Sequence, residues 1–195
     1  MPHSYLWCDL ETTGLDPTKC RILEWAAVLA ADDREGDMSV IESFTDVIGF
    51  GCAVEGGDFS QLKAAQSEMD EYVTKMHTDN GLIAECTHST ATLSEAEDFL
   101  VGLVEQMGAK PRQNVIAGST PAFDLSFLRV HMPRFAAYLS HRTFDVSTLK
   151  MAERDWAGEA FKKAEAHRAL PDILESLEHA KEIRARHGAL WSPAA

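Results

Sequence analysis

The chain contains few basic residues for its length. Its 195 residues include 18 Lys and Arg against 31 Asp and Glu, which gives a net charge of −13 at neutral pH. A protein that binds long nucleic acid usually does so through a basic surface that neutralises the phosphate charges. The composition therefore argues against a broad nucleic-acid interface, although it leaves room for contact confined to a metal-filled pocket and a few nucleotides.

Long apolar runs are also missing. No segment approaches the roughly 18 consecutive apolar residues of a membrane span, and the N-terminus has no basic region that leads into an apolar one. The cysteines lie far apart, in no zinc-like or C-x-x-C spacing: Cys8, Cys20, Cys52 and Cys86. Unpaired thiols of this kind are typical of a reducing compartment, so the sequence predicts a cytoplasmic protein.

The first half of the chain shows the patterns of three strands followed by two helices. Apolar runs separated by short polar turns predict an antiparallel meander of strands: 4–9, 21–32 and 40–49. Helix-forming composition predicts a helix over 61–76. A second helix is predicted over 94–107, with Ser94 as its cap and Glu97 completing a capping box.

The second half of the chain alternates strands with helices. A short strand is predicted over 114–119 with a helix after it, a second short or edge strand over 142–149, and an amphipathic helix over 168–187. This order indicates an α/β fold with a mixed sheet. Since no linker or repeat divides the chain, we expect one domain over residues 1–188 and a flexible tail over 189–195.

Two acidic residues stand in the apolar N-terminal strand. Asp9 and Glu11 are two residues apart, so on a strand their side chains point to the same face. Two like charges placed together are costly unless a cation holds them, because burying an unpaired carboxylate costs several kcal/mol or shifts its pKa. The pair therefore predicts a bound cation.

Three more titratable residues lie at the ends of predicted elements. Asp124 follows a strand and opens a helix, Asp172 lies in the first turn of the last helix, and His167 precedes Asp172 by five residues. Hard divalent cations such as Mg²⁺ prefer oxygen ligands, and two such ions roughly 4 Å apart can promote an in-line displacement at phosphorus. A nearby histidine can take the proton from the attacking water. Helix capping is the ordinary alternative role for Asp124 and Asp172.

Three segments resemble the motifs of the DEDDh 3′–5′ exonucleases. They occur in the right order along the chain: DLETTGLDP (9–17), GSTPAFDLSFL (118–128) and HRALPDILES (167–176). Two more are similar to segments of the oligoribonuclease branch of that family: HTDNGL (77–82) and RTFDVSTLK (142–150). The resemblance covers residues 4–187. It implies an RNase H-like fold, a mixed five-stranded sheet flanked by helices, and a homodimer that trims short RNA from the 3′ end.

The resemblance also implies roles for individual residues. Two divalent cations, Mg²⁺ or Mn²⁺, would be bound by four carboxylates: Asp9, Glu11, Asp124 and Asp172. His167 would be the general base, Leu15 would wedge against the bases, and Tyr72 would stack on one of them. Five polar side chains would surround the terminal phosphate: His77, Thr120, Arg142, Ser147 and Thr148. Of these, the arginine would be the partner subunit's Arg142.

The sequence thus predicts a 3′–5′ exoribonuclease that degrades short RNA, especially dinucleotides, to 5′-mononucleotides by two-metal-ion hydrolysis. One alternative is an exonuclease that acts on longer single-stranded DNA or RNA 3′ ends. Thr12 favours it, because this residue stands where oligoribonucleases commonly have methionine and matches the proofreading exonucleases. A second alternative is a catalytically silent binding module, against which the presence of all five catalytic residues counts.

Overall fold

The computed structural model describes residues 5–32, 38–52, 59–158, 161 and 166–191. Five strands form one sheet: β1 (Tyr5–Thr12), β2 (Ile22–Asp32), β3 (Met38–Val47), β4 (Asn114–Gly118) and β5 (Leu139–Asp145). Their order is β3-β2-β1-β4-β5. The first three strands pair antiparallel, whereas β4 pairs parallel with β1 and β5 pairs parallel with β4. The predicted meander and the mixed five-stranded sheet are confirmed.

Eight α-helices lie within the described ranges: α1 (Ser60–Glu68), α2 (Glu71–Asp79), α3 (Leu82–His88), α4 (Leu93–Gln106), α5 (Pro121–His131), α6 (Pro133–Ala136), α7 (Val146–Ala152) and α8 (Ala169–Trp191). A π-helical turn (Glu153–Ala157) continues from α7. None of these helices is both long enough and apolar enough to cross a membrane. All four cysteines are free thiols.

Side chains of β1 alternate between two helical layers. Leu6, Cys8 and Leu10 belong to the core that contains residues of α4 and α5. Trp7 points to the opposite face and packs in a second core with Ile173 of α8. Because alternation continues along the strand, Asp9 and Glu11 lie on the α8 face. The sheet is therefore a middle layer, with the predicted carboxylate pair facing the last helix.

Two predicted helices differ in detail from the observed ones. The helix expected over 61–76 is divided into α1 and α2, because Asp70 has an extended backbone and its Oδ1 accepts the N–H of Val73 at 2.8 Å as an N-cap. The capping box of α4 consists of Thr92 and Glu95, two residues earlier than expected. Glu97 is instead buried and paired with Arg134.

The predicted boundaries near the C-terminus also shift. The segment 142–149 is an edge strand only as far as Asp145, after which α7 begins. The last helix continues through Trp191, so residues 189–191 of the expected tail are helical. Glycine commonly ends helices, but Gly188 lies within α8. The rest of the expected tail, 192–195, falls outside the described residues.

The three parallel strands end at the same edge of the sheet. In sheets of this kind, ligands bind in the crevice beyond the carboxyl ends of the strands. Here those ends are Thr12 of β1, Gly118 of β4 and Asp145 of β5. Gly118 permits a close approach, since a Cβ atom there would lie 3.0 Å from the Cys8 carbonyl oxygen and 3.3 Å from Ile173 Cδ1.

Candidate active site

Helix α5 places Asp124 against β1. The pairing of β1 with β4 covers only Tyr5–Trp7, and farther along β1 the N–H of Leu10 donates to Asp124 Oδ1 at 3.0 Å. Asp124 is 3% exposed, and its burial raises its pKa to about 7 in spite of the backbone hydrogen bonds that it accepts. The structure therefore places Asp124 beside Leu10, the residue between Asp9 and Glu11.

Two glutamates face each other across β1 and β2. Glu11 and Glu24 are direct partners in the antiparallel register, and both are buried. Opposed like charges destabilise a sheet unless they are balanced. Arg168 supplies that balance for Glu24, with Nη2 to Oε1 at 2.9 Å and Nε to Oε2 at 3.0 Å. The N–H of Ala169 donates to the same carboxylate at 2.9 Å, so Glu24 ties the start of α8 to the sheet.

The third-motif residues lie at this tied end of α8. Asp172 is half-buried in the first turn, and its N–H donates to the Arg168 carbonyl at 3.0 Å. His167 lies just before the helix and has a φ of 47°, in the left-handed region. The structure thus places both residues on the α8 side of the sheet, where Asp9 and Glu11 also lie.

His77 lies in the interior beside Glu11. The side chain is fully buried, with Nε2 3.0 Å from the Thr12 carbonyl oxygen and 3.9 Å from Glu11 Oε2. Burial lowers the pKa of His77, although the hydrogen bond to Thr12 acts in the opposite direction. Its Nδ1 has no hydrogen-bond partner within the described residues. Nδ1 is itself buried, so the contact with a substrate phosphate that the resemblance implies is not formed from the surface in this structure and stays a prediction.

Asp145 accepts hydrogen bonds from three residues that are predicted to bind phosphate. Its Oδ1 accepts the N–H of Thr120 at 3.0 Å, and the N–H and Oγ–H of Ser147 at 2.9 and 2.6 Å. Its Oδ2 accepts the hydroxyl of Thr148 at 2.9 Å, and Thr120 Oγ1 lies 3.1 Å from Ser147 Oγ. Burial would raise the pKa of Asp145, but these hydrogen bonds lower it below its ordinary value. Thr120, Ser147 and Thr148 therefore form one cluster at the ends of β4 and β5.

The two predicted base-contacting residues are exposed. Leu15 is 83% exposed and Tyr72 is 67% exposed, so both side chains are accessible to a ligand. Tyr72 lines a cavity of about 410 Å³ together with Met76, Asn80 and His167. The loop that carries Leu15 is held to α1, since Thr13 donates to Glu68 Oε2 at 2.7 Å and Arg21 Nε to the same oxygen at 3.0 Å.

Arg142 lies on β5, three residues before Asp145. It is an exposed residue of β5, which is an edge strand of the sheet. Its backbone N–H donates to Ser140 Oγ at 3.1 Å. Within the described ranges, no ion pair joins Arg142 to another predicted site residue. The contact of the partner subunit's Arg142 with the site, which the resemblance implies, stays a prediction.

The donor set fits a hard cation. Among the residues that the structure describes, no three His, Cys, Asp or Glu side chains converge closely enough to form a ready metal cage. The four predicted ligands nevertheless offer only carboxylate oxygens, which suit Mg²⁺ or Mn²⁺. Asp124 is buried deeply enough that its pKa is raised, and a bound cation would favour its ionised form.

The sequence reasoning missed four residues that organise the site: Glu24, Asn80, Asp145 and Arg168. A signal was present for two of them. Glu24 is a charged residue within an apolar strand, and such a residue requires a partner. Asp145 precedes Val-Ser-Thr, the pattern of a residue that caps a helix with its side chain. Asn80 appears in the sequence analysis only as part of the segment HTDNGL (77–82), without a role of its own.

Comparisons with known proteins agree with this geometry. The sequence profile of the Exonuclease family matches residues 6–180. An oligoribonuclease of Corynebacterium diphtheriae is 38% identical over 176 residues, which cover 88% of this chain and 77% of that protein. An oligoribonuclease of Pseudomonas aeruginosa is 34% identical over 190 residues, which cover 94% of this chain and 95% of that protein.

A solved structure also matches over nearly the whole chain. The zinc-bound complex of Escherichia coli exonuclease I with single-stranded DNA has a TM-score of 0.61 and 16% identity, and the match covers 98% of this chain but 42% of that one. At this identity the likeness concerns the fold, and it supports an RNase H-like sheet. The chain belongs to the exonuclease family and, within it, to the oligoribonucleases.

Proposed function

We propose that this exonuclease degrades short RNA, dinucleotides above all, from the 3′ end and releases 5′-mononucleotides. The observation that carries the proposal is the hydrogen bond from Leu10 N–H to Asp124, which joins the first and second motifs at the carboxyl edge of the sheet. The oligoribonuclease relatives support RNA as the substrate. The low content of basic residues supports a preference for short substrates, because few positive charges are available to bind the phosphates of a long strand.

We assign two divalent cations, Mg²⁺ or Mn²⁺, to four carboxylates: Asp9, Glu11, Asp124 and Asp172. When bound, such ions lower the pKa of a water molecule and stabilise the charge on a leaving oxygen. The β1 alternation and the tied start of α8 support this set, because they put Asp9, Glu11 and Asp172 on one face of the sheet. Asp124 approaches the same stretch of β1 in the plane of the sheet.

His167 acts as the general base. One of its imidazole nitrogens accepts a proton from the attacking water while the water oxygen forms a bond to phosphorus. The bond from phosphorus to the 3′ oxygen of the preceding nucleotide breaks, and that oxygen takes up a proton from solvent. A histidine suits this task because it exchanges protons near neutral pH.

The remaining residues hold the substrate. Leu15 and Tyr72 contact the bases with their exposed apolar surfaces. The hydroxyls of Thr120, Ser147 and Thr148 lie at the ends of β4 and β5, on the same edge as the carboxylates. A 5′ phosphate bound there, with His77 and the partner subunit's Arg142, would limit the length of RNA that fits.

The proposal includes a homodimer and a cytoplasmic location. The position of Arg142 on an exposed edge strand supports a role in trans, because an edge strand is accessible to a second subunit. The free thiols support a reducing compartment.

The experiment is a length series. Purified protein is incubated with Mg²⁺ and 5′-phosphorylated RNAs of two to ten nucleotides, one RNA of about twenty nucleotides, and DNA of matched sequence, and initial rates are compared. We expect the dinucleotide to react fastest and to yield only 5′-mononucleotides. Equal rates on dinucleotides and on the longest strand would favour the alternative exonuclease of longer 3′ ends. Absence of hydrolysis on all substrates would favour the binding module.

The control for this experiment is Asp9→Ala. It removes a ligand from the proposed metal site and should abolish turnover while the circular dichroism spectrum stays unchanged. Activity that persists in a cleanly purified variant would overturn the assignment.

A further inference from the structure

His167 lies in a short connection whose backbone has to be held in place. Its φ of 47° falls in the left-handed region, which is unfavourable for a residue with a Cβ atom. Histidine visits this region more readily than most residues, but without contacts the connection would relax towards other conformations. The direction of the imidazole therefore depends on what binds the backbone of residues 166–168.

Asn80 makes the contact to the His167 backbone. Its Nδ2 donates to the His167 carbonyl oxygen at 2.6 Å. Its Oδ1 accepts the N–H of Leu82 at 3.0 Å, which forms the turn that opens α3. The amide is thus fixed at both ends. Asn80 and His167 also line the same cavity as Tyr72, on the side of the proposed substrate.

The residue after His167 is fixed more strongly. Arg168 donates to both oxygens of Glu24 on β2 and to both oxygens of Glu85 on α3, at distances of 2.7–3.0 Å. These hydrogen bonds raise the pKa of Arg168 above its ordinary value, and those to Glu24 have a larger effect than those to Glu85. Arg168 and Ala169 anchor the start of α8. The contact of Asn80 is more local, because it fixes only the carbonyl group of His167 itself.

We propose that Asn80 is a positioning residue for His167, which holds the imidazole in the direction required for proton transfer through a hydrogen bond to the His167 carbonyl. This inference rests on the proposed function, in which His167 is the general base. A donor on Asn80 is the property that matters, because the carbonyl can only accept. The acceptor on Asn80 serves the turn alone.

The chain allows these two roles to be separated by one substitution. Asn80→Asp keeps an oxygen for the Leu82 N–H but replaces the donor with a second oxygen, which repels the His167 carbonyl. Asn114→Asp is a matched control, because Asn114 Nδ2 donates to the Tyr138 carbonyl at 3.0 Å at the opposite end of β4. Both variants lose one amide-to-carbonyl hydrogen bond and gain one negative charge.

The measurement is kcat and KM on a 5′-phosphorylated dinucleotide, with thermal unfolding in parallel. We expect Asn80→Asp to lower kcat about 10- to 100-fold, as displacement of a reacting group does, with KM unchanged within about twofold. Asn114→Asp should keep the wild-type kcat. Equal losses of kcat in the two variants, or a normal kcat in Asn80→Asp, would overturn the proposal.

A double-mutant cycle with His167→Ala separates this inference from the proposed function. If Asn80 acts through the imidazole, Asn80→Asp causes no further loss of kcat when His167 is already alanine. A full additional loss in that background would overturn the positioning role and leave His167 as the base. If His167→Ala alone keeps wild-type kcat, the assignment of the general base is wrong, and the inference falls with it.

Discussion

The Asp124 carboxylate accepts the backbone N–H of Leu10 at 3.0 Å, and this bond fastens α5 to β1 between the two acidic residues of the first motif. It connects residues 114 positions apart in the chain. The same carboxylate therefore joins two elements of the fold and, in the proposed site, binds a cation. Substitutions can separate these two roles.

Asp124→Asn should abolish activity and preserve the fold. The asparagine Oδ1 can still accept the Leu10 N–H, whereas the negative charge is lost. We expect kcat/KM to fall by at least about 100-fold, since even the partners of metal ligands cost 10–100-fold when they are removed. Without added metal, the variant should unfold at the same or a higher temperature, because it no longer buries an ionisable carboxyl. A lower unfolding temperature together with partial activity would contradict this.

Asp145→Asn should weaken recognition of the 5′ phosphate. The amide nitrogen cannot accept the Thr148 hydroxyl, so the cluster with Thr120 and Ser147 loses its order. We expect KM for a 5′-phosphorylated dinucleotide to rise about 10-fold with kcat nearly unchanged, the pattern of lost uniform binding. The control substrate is the same dinucleotide with a 5′ hydroxyl, whose KM should not change. A parallel rise for both substrates would show that the cluster does not contact the phosphate.

Tyr72 should contribute to binding through its ring. Stacking of a base on an aromatic side chain is worth about 1–3 kcal/mol, so Tyr72→Ala should raise KM by roughly 5- to 150-fold, and Tyr72→Phe should leave it unchanged. Because Tyr72 is 67% exposed, neither variant should alter the unfolding temperature by more than about 1 °C. A KM of wild-type size in the alanine variant would exclude stacking at this position.

Two variants that are each inactive should regain activity when mixed if each active site of the dimer contains residues from both subunits. Asp9→Ala destroys the proposed metal site of its own subunit, and Arg142→Ala removes the arginine offered to the partner. A mixed dimer contains one complete site, so random pairing of equal amounts should recover about a quarter of the wild-type activity. The measurement is activity after the two variants are unfolded and refolded together, with each variant refolded alone as the control. No recovery would argue that Arg142 acts within its own subunit or not at all.

Glu68 should make the loop that carries Leu15 sensitive to acid. Burial raises the pKa of Glu68, but the hydrogen bonds from Arg21 and Thr13 outweigh it and lower the pKa below its usual value. A lowered pKa in the folded state contributes stability above the unfolded pKa, and this stability is lost as the pH falls through the folded value. Urea unfolding should therefore show Glu68→Gln less stable than the wild type at pH 7, with the difference shrinking below about pH 4.5. A constant difference down to pH 3 would contradict the assignment.

The sequence was sufficient to predict those strands and helices whose pattern lies within one short stretch of the chain. Apolar runs separated by polar turns located β1–β3. The positions at the ends of predicted elements, together with the family resemblance, selected Asp9, Glu11, Asp124, His167 and Asp172, whose roles stay predictions. The errors were also local. Asp70, read as one residue of a long helix, caps α2 and divides that helix, and Thr92 takes the role expected of Ser94.

The contacts that organise the site could not be read from local patterns. Asn80 meets His167 across 87 positions and Arg168 meets Glu24 across 144. Such pairs follow from the way α3 and α8 pack beside β2, which no window of sequence describes. The burial of His77 has the same origin, because α2 places it beneath Thr12. The charged Glu24 within an apolar strand indicated that a partner existed but not which residue it was.

The anchored loop of Leu15 has a consequence for the proposed binding of a very small substrate. A dinucleotide offers few contacts, so it provides little free energy to order a mobile segment on arrival. Here the order exists beforehand, because Thr13 and Arg21 are already bonded to Glu68 and Leu15 is presented 83% exposed. In the proposed function, Leu15 would therefore contact a base with little further ordering of its loop, and the conformational entropy lost on binding would be small.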